Sequence, residues 1–218
     1  MHPFAHAQEQ RCSFEHIYFS NPASTVFRKS VIQFRKRLGY ALEQVAPAEA
    51  DVVVPIPDSA NFIAIGYGES RRSGTYAQLI MRNHDTARSF IAATQAKRDE
   101  EVARKFLFAA DEIKGKRVVL VDDSIVRGTT LPKIVRHMRA VGAASIHVRI
   151  GSPEIIHPCF YGMDFPDEDK LVAAHHTAPQ IARMVGADSL EYLPLSVLKT
   201  MYVDPQNYCF ACMNGQRW

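Results

Sequence analysis

Residues 118–130 read VVLVDDSIVRGTT. An apolar, β-branched run from Val118 to Val121 meets two adjacent aspartates, and a glycine and two threonines follow. Directly after it, TLPKIVRHMRAVGA places apolar residues at helical spacing and closes at Gly142. A buried strand, a short loop and a helix in that order form the unit of an open parallel sheet, in which ligands sit at the carboxyl ends of the strands. The loop amides and the start of a helix near Thr129 or Thr130 offer a place for an anion such as a phosphate. Ser124, Thr129 and Thr130 add hydroxyl donors, and Gly128 lets the backbone approach closely. Asp122 and Asp123 would repel that anion unless each had another partner, either Mg²⁺ or sugar hydroxyls. Helix capping does not account for the pair, because a cap needs one acidic residue beside the helix and these lie several residues upstream.

The same alternation extends along the chain. ADVVVPIPDSA (50–60) predicts a buried strand broken by Pro55 and Pro57, and FIAIGYGESR a helix ending near Gly68 to Gly74. SIHVRIGSP and LEYLPL predict further strands, and APQIARMVGA a further helix. From Val26 to Val45 the residues Val31, Phe34, Leu38, Ala41, Leu42 and Val45 share one helical face, whereas FEHIYFSNPAS alternates like a strand running into a turn at Asn21-Pro22. The fold class is therefore α/β, an open, mostly parallel sheet flanked by helices. Residues 1–11 are expected to form a mobile arm, 12–200 the domain, and 201–218 a C-terminal tail. Gln78–Phe108, with few apolar periods and many charges, predicts a long connecting lid loop.

The chain has 218 residues, 47% of them hydrophobic and 22% charged, with a net charge of +3. These values suit a globular domain and do not point to a nucleic-acid binder. No apolar run has the length of a membrane span and MHPFAHAQEQRC has no signal-peptide core, so a cytoplasmic location is expected. The four cysteines, two of them in CFAC, then suggest metal or redox chemistry rather than structural disulfides.

VDDSIVRGTT resembles the phosphoribosyl pyrophosphate (PRPP) motif of type I phosphoribosyltransferases. RCSFEHIYFSNPAS, VVVPIPDSANFIAIGYG, GSPEIIHPCFYGMD and VGADSLEYL extend the resemblance, in order, to the phosphoribosyltransferase domain of glutamine PRPP amidotransferases of purine synthesis. The resemblance implies that Asp122 and Asp123 meet the ribose hydroxyls and Mg²⁺. It implies that Ser124, Val126, Arg127, Gly128, Thr129 and Thr130 hold the 5′-phosphate, and that Asp58 and Ser59 contact pyrophosphate, with Ser59 joining the acidic pair around Mg²⁺. In the lid, Asn83, Arg88, Phe90, Arg98 and Lys105 match family positions, and Arg88 and Lys105 are expected at the pyrophosphate. The lid departs from the family at His84, Asp85 and Ala87, where arginine, tyrosine and glycine stand, and Phe106 replaces a leucine.

The activity implied is Mg²⁺-dependent transfer of ribose 5-phosphate from PRPP to ammonia. The family's glutaminase half is expected to be lacking, so ammonia would come free or from a separate chain. A homo-oligomer is expected, with no nucleic acid or membrane as partner. Two alternatives stand beside this reading. One is transfer to a base or another small nucleophile, for which no aromatic hood is legible; the other is a non-catalytic PRPP-binding subunit. For the cysteines, the spacing leaves a redox pair, plain core thiols or a zinc site open. The resemblance implies a [4Fe–4S] cluster on Cys12, Cys159, Cys209 and Cys212, because some family members carry one on the matching segments.

Overall fold

The computed structural model describes residues 9–70, 73–83, 105–163, 165 and 167–216. Strands β1 (Arg11–Cys12), β2 (Thr25–Val26) and β3 (Lys29–Ser30) precede helix α1 (Val31–Val45), β4 (Val52–Pro55), α2 (Asn61–Glu69), β5 (Thr75–Tyr76) and β6 (Ile80–Arg82). Then come β7 (Phe106–Phe108), α3 (Ala110–Ile113), β8 (Arg117–Asp122), α4 (Leu131–Ala140) and β9 (Ser145–Ile150). The chain continues through α5 (Val172–His175), α6 (Ala178–Val185), β10 (Ser189–Tyr192), α7 (Leu195–Thr200), β11 (Tyr208–Cys209) and α8 (Ala211–Asn214).

Five strands form the central sheet in the order β10-β9-β8-β4-β5, every neighbouring pair parallel. β8 sits in its centre and is apolar on both faces, as a covered parallel strand must be. Its side chains alternate between two cores. Val119 and Val121 pack with α1, α2 and the C-terminal segment around Leu198, Tyr202 and Phe210. Val118 and Leu120 pack with Leu131, Ile134 and Met138 of α4 and with Ile181 and Val185 of α6. Because β4 and β8 end side by side, the loops after Pro55 and Asp122 open at the same edge.

α1 and α2 cross at near-contact because glycine lies on both sides. A methyl group at Gly39 would stand 1.9 Å from the Ile63 carbonyl oxygen, and one at Gly66 2.0 Å from that of Lys36. Backbone atoms cannot step aside as a side-chain tip can, so the helices would have to separate. Gly39→Ala should cost about 3 kcal/mol or more and lower the melting temperature by about 10 °C, followed by circular dichroism. An unchanged melting temperature would show that this crossing is not a close-packed contact.

Three stretches differ from the expectations. FEHIYFS is not a strand: Glu15–Phe19 form a π-helical turn, with the Ser20 amide donating to the Glu15 carbonyl at 3.1 Å. Phe14 and Ile17, three apart, are both buried, and that spacing belongs to a helix. α1 begins at Val31 rather than Val26, after the β2–β3 hairpin, and Val45 at its end is 46% exposed. The lid stands on two paired strands, β6 and β7, an antiparallel ladder in which Ile80 faces Phe108 and Arg82 faces Phe106. Residues 84–104, including Arg88, His84, Asp85, Ala87, Phe90 and Arg98, lie outside the described residues, as do residues 1–8 of the arm. Among the described residues no helix is long and apolar enough to cross a membrane.

Candidate active site

β8 delivers the acidic pair and α4 begins eight residues later, so the intervening loop closes over the end of the sheet. Asp123 is buried, at 5% exposure, and is the hub. The Ser59 hydroxyl donates to its Oδ1, and the Ser124 hydroxyl donates to its Oδ2 at 2.6 Å. The Asp123 amide in turn donates to Asp122 Oδ1 at 2.9 Å. The loop after β4 and the loop after β8 are thus joined by side chains 64 residues apart. Burial, and then the charge of Asp123, pushes Asp122 well above the ordinary carboxylate range. Burial also raises Asp123, opposed by the hydrogen bonds from Ser124 and Ser59 and by the positive charge of Arg35.

Residues 122–131 form one wall of a cavity of about 530 Å³. Gly128 takes φ +65°, a backbone conformation that L side chains rarely adopt. The loop is braced from behind by α5, where the Val172 amide donates to the Val126 carbonyl at 3.0 Å. The opposite wall consists of Phe14, Tyr18, Phe19, Met163 and Phe165. Phe14 and Phe165 meet edge to face at 5.0 Å, while Tyr18 and Phe19 are 49% and 63% exposed. No aromatic hood is legible in the sequence, and the structure places four aromatic side chains in the cavity lining. They come from two segments about 145 positions apart, neither of which carries a local signal of a shared wall.

Of the expected site residues, Ser59, Asp122, Asp123, Ser124, Val126, Arg127, Gly128, Thr129 and Thr130 come together. Asp58 and Lys105 stand apart from the cavity wall. Asp58 is exposed, with Arg82 Nη1 at 3.5 Å, and follows a cis Pro57–Asp58 peptide. Lys105 is exposed at the foot of the β6–β7 hairpin, where its carbonyl accepts from the Asn83 amide at 2.8 Å.

The four cysteines lie on segments that meet at the C-terminal tail. β1 and β11 pair so that Cys12 stands opposite Cys209. The Cys212 carbonyl accepts from the Ile156 and His157 amides, both at 3.0 Å, which ties the tail to the loop carrying Cys159. All four are free thiols. Burial, together with Cys209 and Cys159 nearby, pushes Cys12 up to about 11. Cys212 is raised by burial and by the other three cysteines, and Cys209 by burial and by Cys159. Among the described residues no three His, Cys, Asp or Glu side chains are close enough to share a single metal ion.

A parallel sheet whose central strand ends in an acidic pair and a glycine-bearing loop is consistent with a phosphoribosyl transferase domain, and the family model of that description matches residues 72–150. The chain is a relative of the amidophosphoribosyltransferases. It is 42% identical over 213 residues to the chloroplastic amidophosphoribosyltransferase of Glycine max, covering 97% of this chain and 37% of that protein. It is 43% identical over 212 residues to the amidophosphoribosyltransferase of Synechocystis, covering 96% of this chain and 42% of that one. The solved glutamine PRPP amidotransferase of B. subtilis, complexed with ADP and GMP, superposes with a TM-score of 0.89 at 40% identity, covering 98% of this chain and 48% of that one. The chain thus spans less than half the length of each of these proteins.

Proposed function

We propose that the chain is a Mg²⁺-dependent phosphoribosyltransferase that moves the ribose 5-phosphate of PRPP to ammonia and yields phosphoribosylamine. The observation that carries the reading is the tie of Ser59 and Ser124 to Asp123 beneath a glycine-bearing loop that opens on the cavity. In this reading Asp122 and Asp123 hold the ribose hydroxyls, and Ser124–Thr130 hold the 5′-phosphate through loop amides and hydroxyls. Asp58, Ser59, Lys105 and Arg88 serve the pyrophosphate. The C1–O bond to pyrophosphate breaks, a C1–N bond forms, and the ammonium so produced gives up a proton to solvent. The aromatic wall keeps water from the electron-poor C1.

The residues fit Mg²⁺. Two carboxylates and a serine hydroxyl are hard oxygen donors, and carboxylates held toward protonation by burial are relieved by a cation. When bound, Mg²⁺ supplies charge neutralisation to the departing pyrophosphate. Four thiols from three segments are the donor set a [4Fe–4S] cluster takes, with Cys12 opposite Cys209 and the Cys212 carbonyl tied to the loop that carries Cys159. One zinc at about 2.3 Å from each sulfur would draw the thiolates tightly together, whereas four irons, each with its own thiolate, space them more widely. The same proposal divides the chain into an arm (1–11), the transferase domain (12–200) and a cluster-bearing tail (201–218). It places the chain in the cytoplasm as a homo-oligomer, with nitrogen supplied as free ammonia or by a glutaminase unit.

The aromatic wall favours a second reading, transfer to a base that stacks on Tyr18 or Phe19. Pyrophosphate release from PRPP and Mg²⁺, with ammonia, glutamine and bases supplied in turn, tests both. Release with ammonia supports the first and release with one base supports the second. PRPP binding without release under any acceptor would leave a non-catalytic PRPP-binding subunit.

A further inference from the structure

Arg35 is among the most deeply buried side chains of the protein, at 1% exposure, and among the described residues it makes no hydrogen bond or ion pair to a carboxylate. Its Nε donates to the His16 carbonyl at 3.1 Å, and one Nη donates to the carbonyls of Tyr18 at 2.6 Å and Ser20 at 2.9 Å. These three oxygens run along the π-helical turn Glu15–Phe19 and just beyond it, where terminal carbonyls have no partner inside the helix. The preceding residue, Phe34, stacks on the His16 ring at 4.6 Å and 24°. Two neighbouring side chains of α1 thus clamp the turn, an aromatic ring against its inner face and a guanidinium fork along its carbonyls. Tyr18 and Phe19 of the clamped turn, both exposed, line the cavity that Asp122 and Asp123 also line.

We infer that Arg35 is a positioning residue for the transfer step, fixing the π turn so that Tyr18 and Phe19 enclose the reacting centre. The inference rests on the transferase reading above for its chemistry, though not for its geometry. A buried cation that bonds only to carbonyls, with the charge of Asp123 acting on it through space, carries a desolvation cost, and a planar fork is the group that can serve three carbonyls at once. π turns are rare and recur at functional sites, and here the turn is held by a residue of the same helix that packs on α2 behind Ser59. A lysine would keep the charge but bring one rotatable ammonium to a place that needs a rigid fork. The phosphate loop lies on β8 and α4 and does not depend on this contact.

The test compares wild type with Arg35→Lys and Arg35→Met in three measurements. Amide hydrogen exchange over residues 14–20 should speed up about tenfold or more in both variants, while β8 stays protected. Affinity for PRPP with Mg²⁺ should stay within about twofold, whereas kcat/KM for ammonia at saturating PRPP should fall about tenfold. Adding Phe19→Ala to Arg35→Lys should cost little more than the larger single change, because both act through one wall. Unchanged exchange over 14–20 would overturn the inference whatever the protein binds. Equal losses of PRPP affinity and turnover, or fully additive variants, would overturn it as well. Should Arg35→Met fail to fold, Arg35→Lys decides. A wild-type chain that bound no PRPP would defeat the transferase reading and with it the catalytic part of this inference, while the exchange data would still decide whether Arg35 holds the turn.

Discussion

Asp123→Asn is expected to reduce the proposed phosphoribosyl transfer by at least about a hundredfold while the protein keeps its fold, and Asp122→Asn should do the same. The amide oxygen can still accept from one of Ser59 and Ser124 while its NH2 donates to the hydroxyl oxygen of the other, so the tie between the two loops is weakened rather than removed. What disappears is the negative charge that would hold Mg²⁺ and orient the ribose. The fold tolerates the change because burial already drives both carboxyls toward the neutral form. The pH dependence has a definite sign. A group whose folded pKa is raised contributes stability that is present below its unfolded pKa of about 4 and is lost as the pH climbs through the folded value. Removing one acid removes that loss, so the metal-free Asp122→Asn protein should melt no lower than wild type at pH 8, and relatively lower near pH 4. Isothermal titration with PRPP and Mg²⁺, turnover assays and melting curves at the two pH values check this. Unchanged affinity and turnover in both variants would remove the acidic pair from the site.

The second large effect concerns the thiols. Prepared without air, the protein should be brown, carry about four irons per chain with matching sulfide, and absorb broadly in the visible. Cys12→Ser, Cys159→Ser, Cys209→Ser or Cys212→Ser should each lose iron and soluble protein together. The reason lies in the packing. β1 and β11 are two residues long, and a parallel pair of that length has little stability of its own. A cluster bound at Cys12 and Cys209 would pin both strands, and Cys159 and Cys212 would join the loop after β9 to the tail. Thiols driven toward protonation by burial and by one another are relieved by the positive charge of the irons. Iron and sulfide analysis with gel filtration of the variants measures this. Stoichiometric zinc with no iron or sulfide in anaerobic preparations would rule the cluster out.

How much of this was legible in the chain differs from element to element. Val118–Val121 and Val52–Val54 read correctly as buried strands because contiguous apolar, mostly β-branched runs bury both faces of a parallel sheet, a local property, and Ser145–Ile150 read correctly as a strand. The loop after β8 was legible as a unit for the same reason: its acids, hydroxyls and glycine lie within nine consecutive residues, Asp122–Thr130. FEHIYFS was misread because its alternation of apolar and polar residues imitates a strand. The turn is held by contacts with α1, and Arg35 lies 15 residues beyond the last carbonyl it binds. Apolar spacing at Phe14 and Ile17 was the one available signal of a helix.

The aromatic wall and the strands beneath the lid escaped for a related reason. Tyr18 and Phe165 become neighbours of the phosphate loop only after the chain has crossed the sheet, and β6 and β7 pair across a long charged insertion with weak periodicity of its own. The sequence by itself determined the sheet, its central strand and the acid-and-hydroxyl loop at that strand's end, since each depends on residues a few positions apart. Only the tertiary structure decided that Ser59 would reach Asp123, that Arg35 would hold the wall opposite, and that four cysteines spread from position 12 to 212 would gather in one place. Those contacts join segments whose separation along the chain carries no local signature, and burial in a shared core is what brings them together.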